Sequence, residues 1–330
     1  MKRREFTSLL IGAVACPLLA HAQQPERQRR IGVLMNRTEN DPESLARITA
    51  FRQGLQQLGW IDGGNVHIDI RWGADDADRE RKYAAELVKL EPDVILASGT
   101  LSVAALQPLS HNLPIVFVGV TDPVGAGFID SLARPGGNVT GFMIYEYTLS
   151  EKWLELLREI APHITRVAII RNPDNPVGVG VFSAIQAAAR SLRMEVFPID
   201  SRRNADVIEQ AIEAFAHSPN GGLIFTPNAS SMSAGYKLII RLAARYKLPT
   251  VYPFPYMVTE GGLMSYAANV ADQCAHAAGY VDRILKGEKP ADLPVQQAIK
   301  VDLSINLKTA KAQGLAVPQA LLAQALQVID

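Results

Sequence analysis

From Arg30 onward the chain alternates short β-branched or apolar runs with longer stretches whose apolar residues recur every three or four positions. Such alternation predicts layered α/β structure with parallel strands. Residues 31–35 read as a strand. Residues 42–58 read as an amphipathic helix, with Leu45, Ile48, Phe51, Leu55 and Leu58 on one face and Gly59 as its stop. Strands follow at 66–72, 94–97 and 115–118, separated by helical patterns at 78–90 and 102–109, which completes one doubly wound lobe. After a loop-rich stretch and a strand at 139–142 the same grammar restarts. It predicts helices at 150–160 (with Ser150 as candidate cap), 182–192, 205–216 and 236–246, and strands at 167–170, 195–199, 223–225 and 250–252. A tail with a helix at 272–285, a turn around Pro290 and Pro294, a strand at 299–305 and a helix at 307–313 is long enough to revisit both lobes. Two lobes joined by more than one strand would move as a hinge.

Length supports that division, because about 308 residues exceed the size at which single cores usually split. Residues 1–22 are set apart from it. A basic start at Lys2, Arg3 and Arg4, an apolar run from Leu9 and the small-residue site Ala20-His21-Ala22 predict a cleaved signal peptide, so the mature chain is expected outside the cytoplasm, in the periplasm. The Arg3-Arg4 pair followed by Phe6 resembles a twin-arginine address. Ala13-Val14-Ala15-Cys16 is a poor lipoprotein box, and the apolar run is too short to span a membrane. Removing this segment takes three basic residues and one acidic residue from 33 of each, leaving 30 against 32 and a formal charge of minus two. No basic field remains for nucleic acid. Cys274 is then the single cysteine; it lies in a helical, Ala-rich pattern and reads as a small buried hydrophobe, with no partner for a disulfide and no Cys/His spacing for zinc.

In open α/β sheets ligands sit beyond the carboxyl ends of the strands, so chemistry is sought in the loops there. The strand at 94–97 runs into Ser98-Gly99-Thr100, two hydroxyls and a glycine at a helix start, suited either to a ligand carboxylate or to plain capping. The strand at 115–118 leads to Thr121-Asp122-Pro123, where Asp122 either meets a ligand ammonium or forms an Asx-type turn. In the second lobe, Asn172 and Asn175 follow one strand and Thr226 and Asn228 another, as neutral donors and acceptors or as turn residues. Tyr252 and Phe254 are candidates for a flat or apolar ligand wall. There is no GxSxG elbow, HExxH or Walker loop, and His67, His111, His163, His217 and His276 all fall outside these loops. No cofactor, metal or catalytic residue is therefore expected.

Four separated runs carry a family resemblance: Asp122-Pro-Val-Gly-Ala-Gly through Arg134-Pro-Gly-Gly-Asn138 to Gly141, Gly261-Gly-Leu-Met-Ser-Tyr266, Ile284-Leu-Lys-Gly-Glu-Lys-Pro-Ala-Asp-Leu-Pro294 and Ile305-Asn-Leu-Lys-Thr-Ala-Lys311. In this order they resemble the ABC transporter substrate-binding protein family that includes tryptophan-type receptors. The resemblance implies the type I periplasmic binding protein fold, two Rossmann-like doubly wound lobes with three crossovers. It assigns 31–143 and 264–298 to the N-terminal lobe and 144–263 and 299–330 to the C-terminal lobe. It also implies a non-enzymatic, monomeric receptor that clamps a small polar ligand, an amino acid (aromatic in characterised relatives) or related carboxylate, for an ABC permease in the inner membrane. By position the ligand would lie between Ser98, Thr100, Thr121 and Asp122 on one side and Asn172, Asn175, Thr226, Asn228 and Tyr252 on the other, with Asp122 on the ammonium. Arg37, near the cleft mouth, would favour an added acidic group. The rival readings are a receptor that presents its ligand to a membrane sensor, and a periplasmic hydrolase with Asp122 as base.

Overall fold

The structure, a computed structural model, describes residues 28–144, 146–174, 176–229, 235–297 and 300–330. The expected signal peptide and Asn175 lie outside the described residues. Elements are numbered along the chain. The first sheet contains β1 (Arg29–Met35), β2 (Val66–Trp72), β3 (Val94–Ser98), β4 (Ile115–Thr121), β5 (Val139–Ile144) and the short β11 (Gln296–Gln297), in the order β11-β5-β4-β3-β1-β2. All its pairings are parallel. It is flanked by α1 (Pro42–Gln57), α2 (Ala77–Lys89), α3 (Thr100–Leu106) and α9 (Val270–Leu285).

The second sheet runs β13-β12-β10-β9-β8-β6-β7. Its strands are β6 (Arg166–Arg171), β7 (Glu195–Asp200), β8 (Gly221–Phe225), β9 (Thr250–Tyr252), β10 (Met264–Ala268), β12 (Val301–Asn306) and β13 (Gln327–Ile329). Pairing is parallel except between β10 and β12. With it belong α4 (Glu146–Ile160), α5 (Pro176–Ser191), α6 (Ala205–Ala216), α7 (Gly235–Arg245), α8 (Pro255–Thr259), α10 (Leu307–Gln313) and α11 (Gln319–Gln324). The chain changes sheet three times: after Ile144, after Ala268, and between Gln297 and Val301. The last two passages are tied together, Asn269 N–H donating to Lys300 O at 3.0 Å and Asn269 Nδ2 to Asp302 Oδ2 at 2.7 Å.

Both faces of each sheet are covered, which is why the strands read as continuous apolar runs. In β3, Val94 and Leu96 enter one core with α1 and α9, while Ile95 and Ala97 enter the opposite core with α2 and α3. Helices α1 and α9 approach closely at Gly54, where an added Cβ would stand 2.8 Å from Ala275 O and from Ala278 Cβ. Cys274, on α9, is wholly buried, and burial pushes its thiol up to about 12, well out of the reactive range.

Several expectations are corrected. Helix α1 is turned so that Ser44, Arg47, Ile48, Phe51 and Leu55 face inward, while Leu45 and Leu58 are exposed. The rotation carries Arg47 toward the space between the sheets. Asp41 caps the helix by accepting from Glu43 N and Ser44 N, an arrangement worth about 1 kcal/mol. Ser150 is an interior residue of α4, not its cap, because that helix begins at residue 146. Residues 264–268 belong to the second sheet, so the return to the first lobe falls after Ala268 and not at 264. Helices α8 and α11 and strands β10, β11 and β13 have no counterpart in the reading of the periodicity.

Candidate functional site

The carboxyl ends of β1, β3 and β4 face those of β8, β9 and β10 across a cavity of about 850 Å³, counting its solvent-open part. Asn36, Arg37, Arg47, Asp75, Gly99, Thr100, Leu101, Gly119 and Thr121 line it from the first lobe. Leu149, Trp153, Pro227, Pro253, Phe254 and Ala267 line it from the second, with Ile144, Ala268 and Val270 at the crossings.

A polar network forms the first-lobe wall, and Asn36 is its hub. Its Oδ1 accepts from Ser98 Oγ at 3.1 Å and from Arg47 Nη1 at 3.4 Å, and its Nδ2 donates to Asp75 Oδ1 at 2.9 Å. Arg47 also donates from Nη1 to Ser98 Oγ at 3.2 Å and from Nε to Glu43 Oε1 at 3.1 Å. Asp75 is held by its backbone too, its N–H reaching Asn36 O at 2.5 Å. It follows Ala74 in the left-handed region, with φ of 53° and 58°. That conformation is uncommon outside glycine, and Asp and Asn are among the residues that tolerate it. It turns the Asp75 carboxylate toward the cavity. Gly99, at φ 87°, starts α3 with an added Cβ only 3.0 Å from Asn36 Nδ2, so this turn holds the hub as well.

Arg37 spans the cleft. It pairs with Asp41 through Nε to Oδ1 at 3.0 Å and Nη2 to Oδ2 at 2.5 Å, while Nη2 also reaches Tyr256 Oη of the second lobe at 3.3 Å. Its guanidinium lies 4.5 Å from the centroid of Phe254, which stacks on Tyr256 at 5.8 Å and 6°. Burial works against the Arg37 charge, but the Asp41 hydrogen bond and charge outweigh it and raise its affinity for its proton. Burial likewise opposes ionisation of Asp41, and Arg37 with the Ser44 and Glu43 amides overcomes it, holding Asp41 below the usual carboxylate range.

The charges do not balance. Arg37 holds Asp41 and Arg47 holds Glu43, whereas Asp75 takes part in no ion pair among the described residues. Burial pushes the Asp75 carboxyl up, and the more distant Arg37 and Arg47 charges and the Asn36 amide compensate only in part. Counting Asp41 and Glu43, which pair with the two lining arginines from behind, this side of the cavity has three carboxyl groups for two guanidiniums, facing an apolar wall of Leu149, Trp153 and Phe254. Trp153 is fixed by its indole N–H donating to Tyr266 O at 2.7 Å.

Of the residues singled out in the sequence, Arg37, Gly99, Thr100, Thr121 and Phe254 line this cavity, and Arg37 already holds the Asp41 carboxylate there instead of standing ready for an added acidic group. Ser98 lies beneath it, fully buried, its hydroxyl engaged with Asn36 and Arg47. Asp122 does not line it: the residue is exposed at φ 46°, and its Oδ1 accepts from Gly125 N at 2.9 Å, the Asx-type turn. Asn172 similarly accepts from Asp174 N at 3.0 Å, away from the lining. Thr226 is buried with its hydroxyl on Ile170 O at 2.8 Å, leaving the adjacent Pro227 to face the cavity. Tyr252 points into the core, its ring edge-on to Phe225 at 6.5 Å. Asn228 belongs to the turn Pro227–Ala229, and its side chain lies outside the described set. The lining residues missed in the sequence include Asn36, Arg47, Asp75 and Trp153. Inspection of the ends of β1 and β2 would have exposed Asn36 and Asp75, whereas Arg47 and Trp153 are hidden in helical patterns.

A family model described as ABC transporter substrate binding protein matches residues 37–329. A curated Tyrosine-binding protein of Clostridioides difficile (strain R20291) is 25% identical over 287 residues, 87% of this chain and 81% of its own length. The solved ABC domain in complex with L-Trp from Streptococcus pneumonia is 23% identical with a TM-score of 0.82, covering 92% of this chain and 100% of that one. A conserved domain protein from Vibrio cholerae O1 biovar eltor, 26% identical, has the same TM-score and coverage.

Proposed function

Since the chain belongs to the ABC transporter substrate-binding protein family and has the type I periplasmic binding protein fold, we propose that it captures a small amino-bearing solute between its lobes. The solute class is an amino acid or related amino carboxylate, with an aromatic or apolar body. The observation that carries this reading is the unmatched carboxylate of Asp75 opposite Trp153 and Phe254 in one cavity. A cationic amine would supply the charge that Asp75 lacks, and the apolar wall would take the body of the solute. Thr100, Thr121 and the amides around Gly99 would meet its carboxylate. A Tyrosine-binding relative and a neighbour holding L-Trp agree with this chemistry.

The protein works outside the cytoplasm, in the periplasm, as a monomer that delivers its ligand to an ABC permease in the inner membrane. It performs no reaction on that ligand. Among the described residues, Thr100 and Thr121 are the hydroxyl side chains on the lining, and no described histidine accompanies them there. A ligand of about a dozen heavy atoms needs only about 0.7 kcal/mol per atom for micromolar affinity, within the small-ligand ceiling of about 1.5.

Thermal denaturation of the mature protein tests the reading. L-Tyrosine or L-tryptophan at about 100 times Kd should stabilise the folded state by about 2.7 kcal/mol and raise Tm accordingly. The desamino analogue 3-(4-hydroxyphenyl)propionate should leave Tm near its starting value. Stabilisation by the desamino acid but by no amino acid would refute the assignment.

A further inference from the structure

Strand β4 carries an extra residue at its cavity end. Its side chains first alternate regularly, Ile115 and Phe117 entering the core with α2 and α3, Val116 and Val118 the core with α1 and α9. Continued alternation would send Val120 toward α9 and turn Thr121 the other way, into the core. Instead Val120 joins Phe117 on the α2 and α3 side. The register against β5 slips there: Val118 stands opposite Phe142 and Val120 opposite Met143, so Gly119 has no partner in the ladder. This is a β-bulge, with Gly119 in the left-handed region at φ 65°, and bulges re-aim the side chains beyond them. Thr121 therefore emerges opposite Ile144, and both line the cavity together with Gly119 and Val270.

One buried side chain holds the slip. Gln273, near the start of α9 and 3% exposed, accepts the Gly119 N–H on Oε1 at 2.9 Å and donates from Nε2 to Met143 O at 3.1 Å. Its amide thus serves one donor and one acceptor, one on each of the two slipped strands, which an apolar side chain of the same length cannot do. On the other flank of the bulge, Val118 O accepts the Gly99 N–H at 2.8 Å. The turn at Gly99 and Thr100 and the strand end at Thr121 are therefore both anchored at this point.

We propose that Gln273 is a positioning residue of the ligand site: by holding the β4 bulge it keeps Thr121 on the lining, in line with Gly99 and Thr100, where the three meet the carboxylate of the solute. The proposal rests on the amino-acid reading of the cleft and deepens it, because a side chain behind the lining then sets how well the carboxylate is recognised.

Gln273→Met keeps the length of the side chain and leaves the Gly119 N–H and Met143 O without it. Calorimetry should show L-tyrosine bound about 10-fold more weakly or worse, while tyramine, which has the amine but no carboxylate, changes by less than about threefold. Gln273→Glu is the conservative variant. At about pH 5 its buried carboxyl keeps its proton and again offers an acceptor to Gly119 and a donor to Met143, so its tyrosine-to-tyramine affinity ratio should lie within about threefold of the wild type's. At about pH 8 the carboxylate has no proton to give Met143 O, and the ratio should fall about 10-fold below the wild type's at that pH. These two pH values carry the test if Gln273→Met does not fold. A purely structural role would lower Tm and weaken both ligands alike. Equal losses for both ligands, unchanged affinity for tyrosine, or a ratio in Gln273→Glu that is the same at both pH values would overturn the proposal. Should the wild type bind no amino acid, the amino-acid reading falls; Gln273 is then judged, as it is if tyramine binds too weakly to measure, by crystal structures of the two variants. Thr121 turned off the lining upholds the positioning role, and Thr121 unmoved in both overturns it.

Discussion

Asp75→Asn should weaken binding of an amino acid by about 2 to 4 kcal/mol, a loss of roughly 30- to 800-fold, because it removes the charged half of a desolvated ion pair. The substitution is clean for two reasons. Asparagine accepts the left-handed backbone at φ 53° as readily as aspartate, and its side-chain oxygen can keep the hydrogen bond from Asn36 Nδ2. The loop should therefore stay in place, and the melting temperature should not fall, since burial already opposes the Asp75 charge. A ligand without an amine should lose nothing, so the ratio of tyrosine to 3-(4-hydroxyphenyl)propionate affinities should collapse in the variant. Asp122→Ala is the matched control, since that carboxylate only closes an exposed turn on Gly125 N. Calorimetry that found Asp122→Ala crippling and Asp75→Asn harmless would reverse the assignment of the two carboxylates.

Glu80 should make the fold less stable as pH rises. It is 1% exposed, on the first turn of α2, and burial pushes its carboxyl up to about 8 although Ser102 Oγ donates to Oε2 at 3.0 Å; Asp75 and Asp76 nearby push the same way. Its Oε1 has no hydrogen-bond partner, and it presses on Gly73, where an added Cβ would stand 2.1 Å from Oε1. The ordinary value is 4.5, so between about 4.5 and 8 the folded protein holds the proton that the unfolded chain has released. Stability then falls as pH rises through that window, by at most about 1.4 kcal/mol per unit, and levels off above about 8. Glu80→Gln mimics the protonated carboxyl at every pH. Its Tm should match the wild type near pH 4.5 and exceed it by several degrees at pH 8.5. Equal pH profiles for the two proteins would show that Glu80 ionises normally.

The reach of sequence reasoning follows from what periodicity can encode. Helices α6 and α10 and strand β9 lie where the apolar pattern puts them, because their burial is set by their own residues. Strand β10, Met-Ser-Tyr-Ala-Ala, contains no β-branched residue. It becomes a strand because β9 and β12 flank it, a tertiary cause that no local window contains. The same limit applies to the site. Looking beyond strand ends located Gly99, Thr100, Thr121 and Phe254, whose place follows from topology. Asp122 has the same topological claim, but Pro123 and Gly125 fold the chain back so that its carboxylate serves the backbone. Asp75 owes its position to two successive left-handed residues, and Ala74 gives no sign of one. Arg47 sits on the inward stripe of α1, where an arginine is admitted only because Glu43, Asn36 and Ser98 receive it.

One cavity between the lobes is proposed to hold an amino-bearing solute by its amine at Asp75. A crystal structure of the mature protein with L-tyrosine tests it most directly. Intact tyrosine should lie between the lobes, with its ammonium within hydrogen-bond distance of the Asp75 carboxylate and its ring against Trp153 or Phe254. Tyrosine bound elsewhere, or in the cavity with its amine turned away from Asp75, would contradict it.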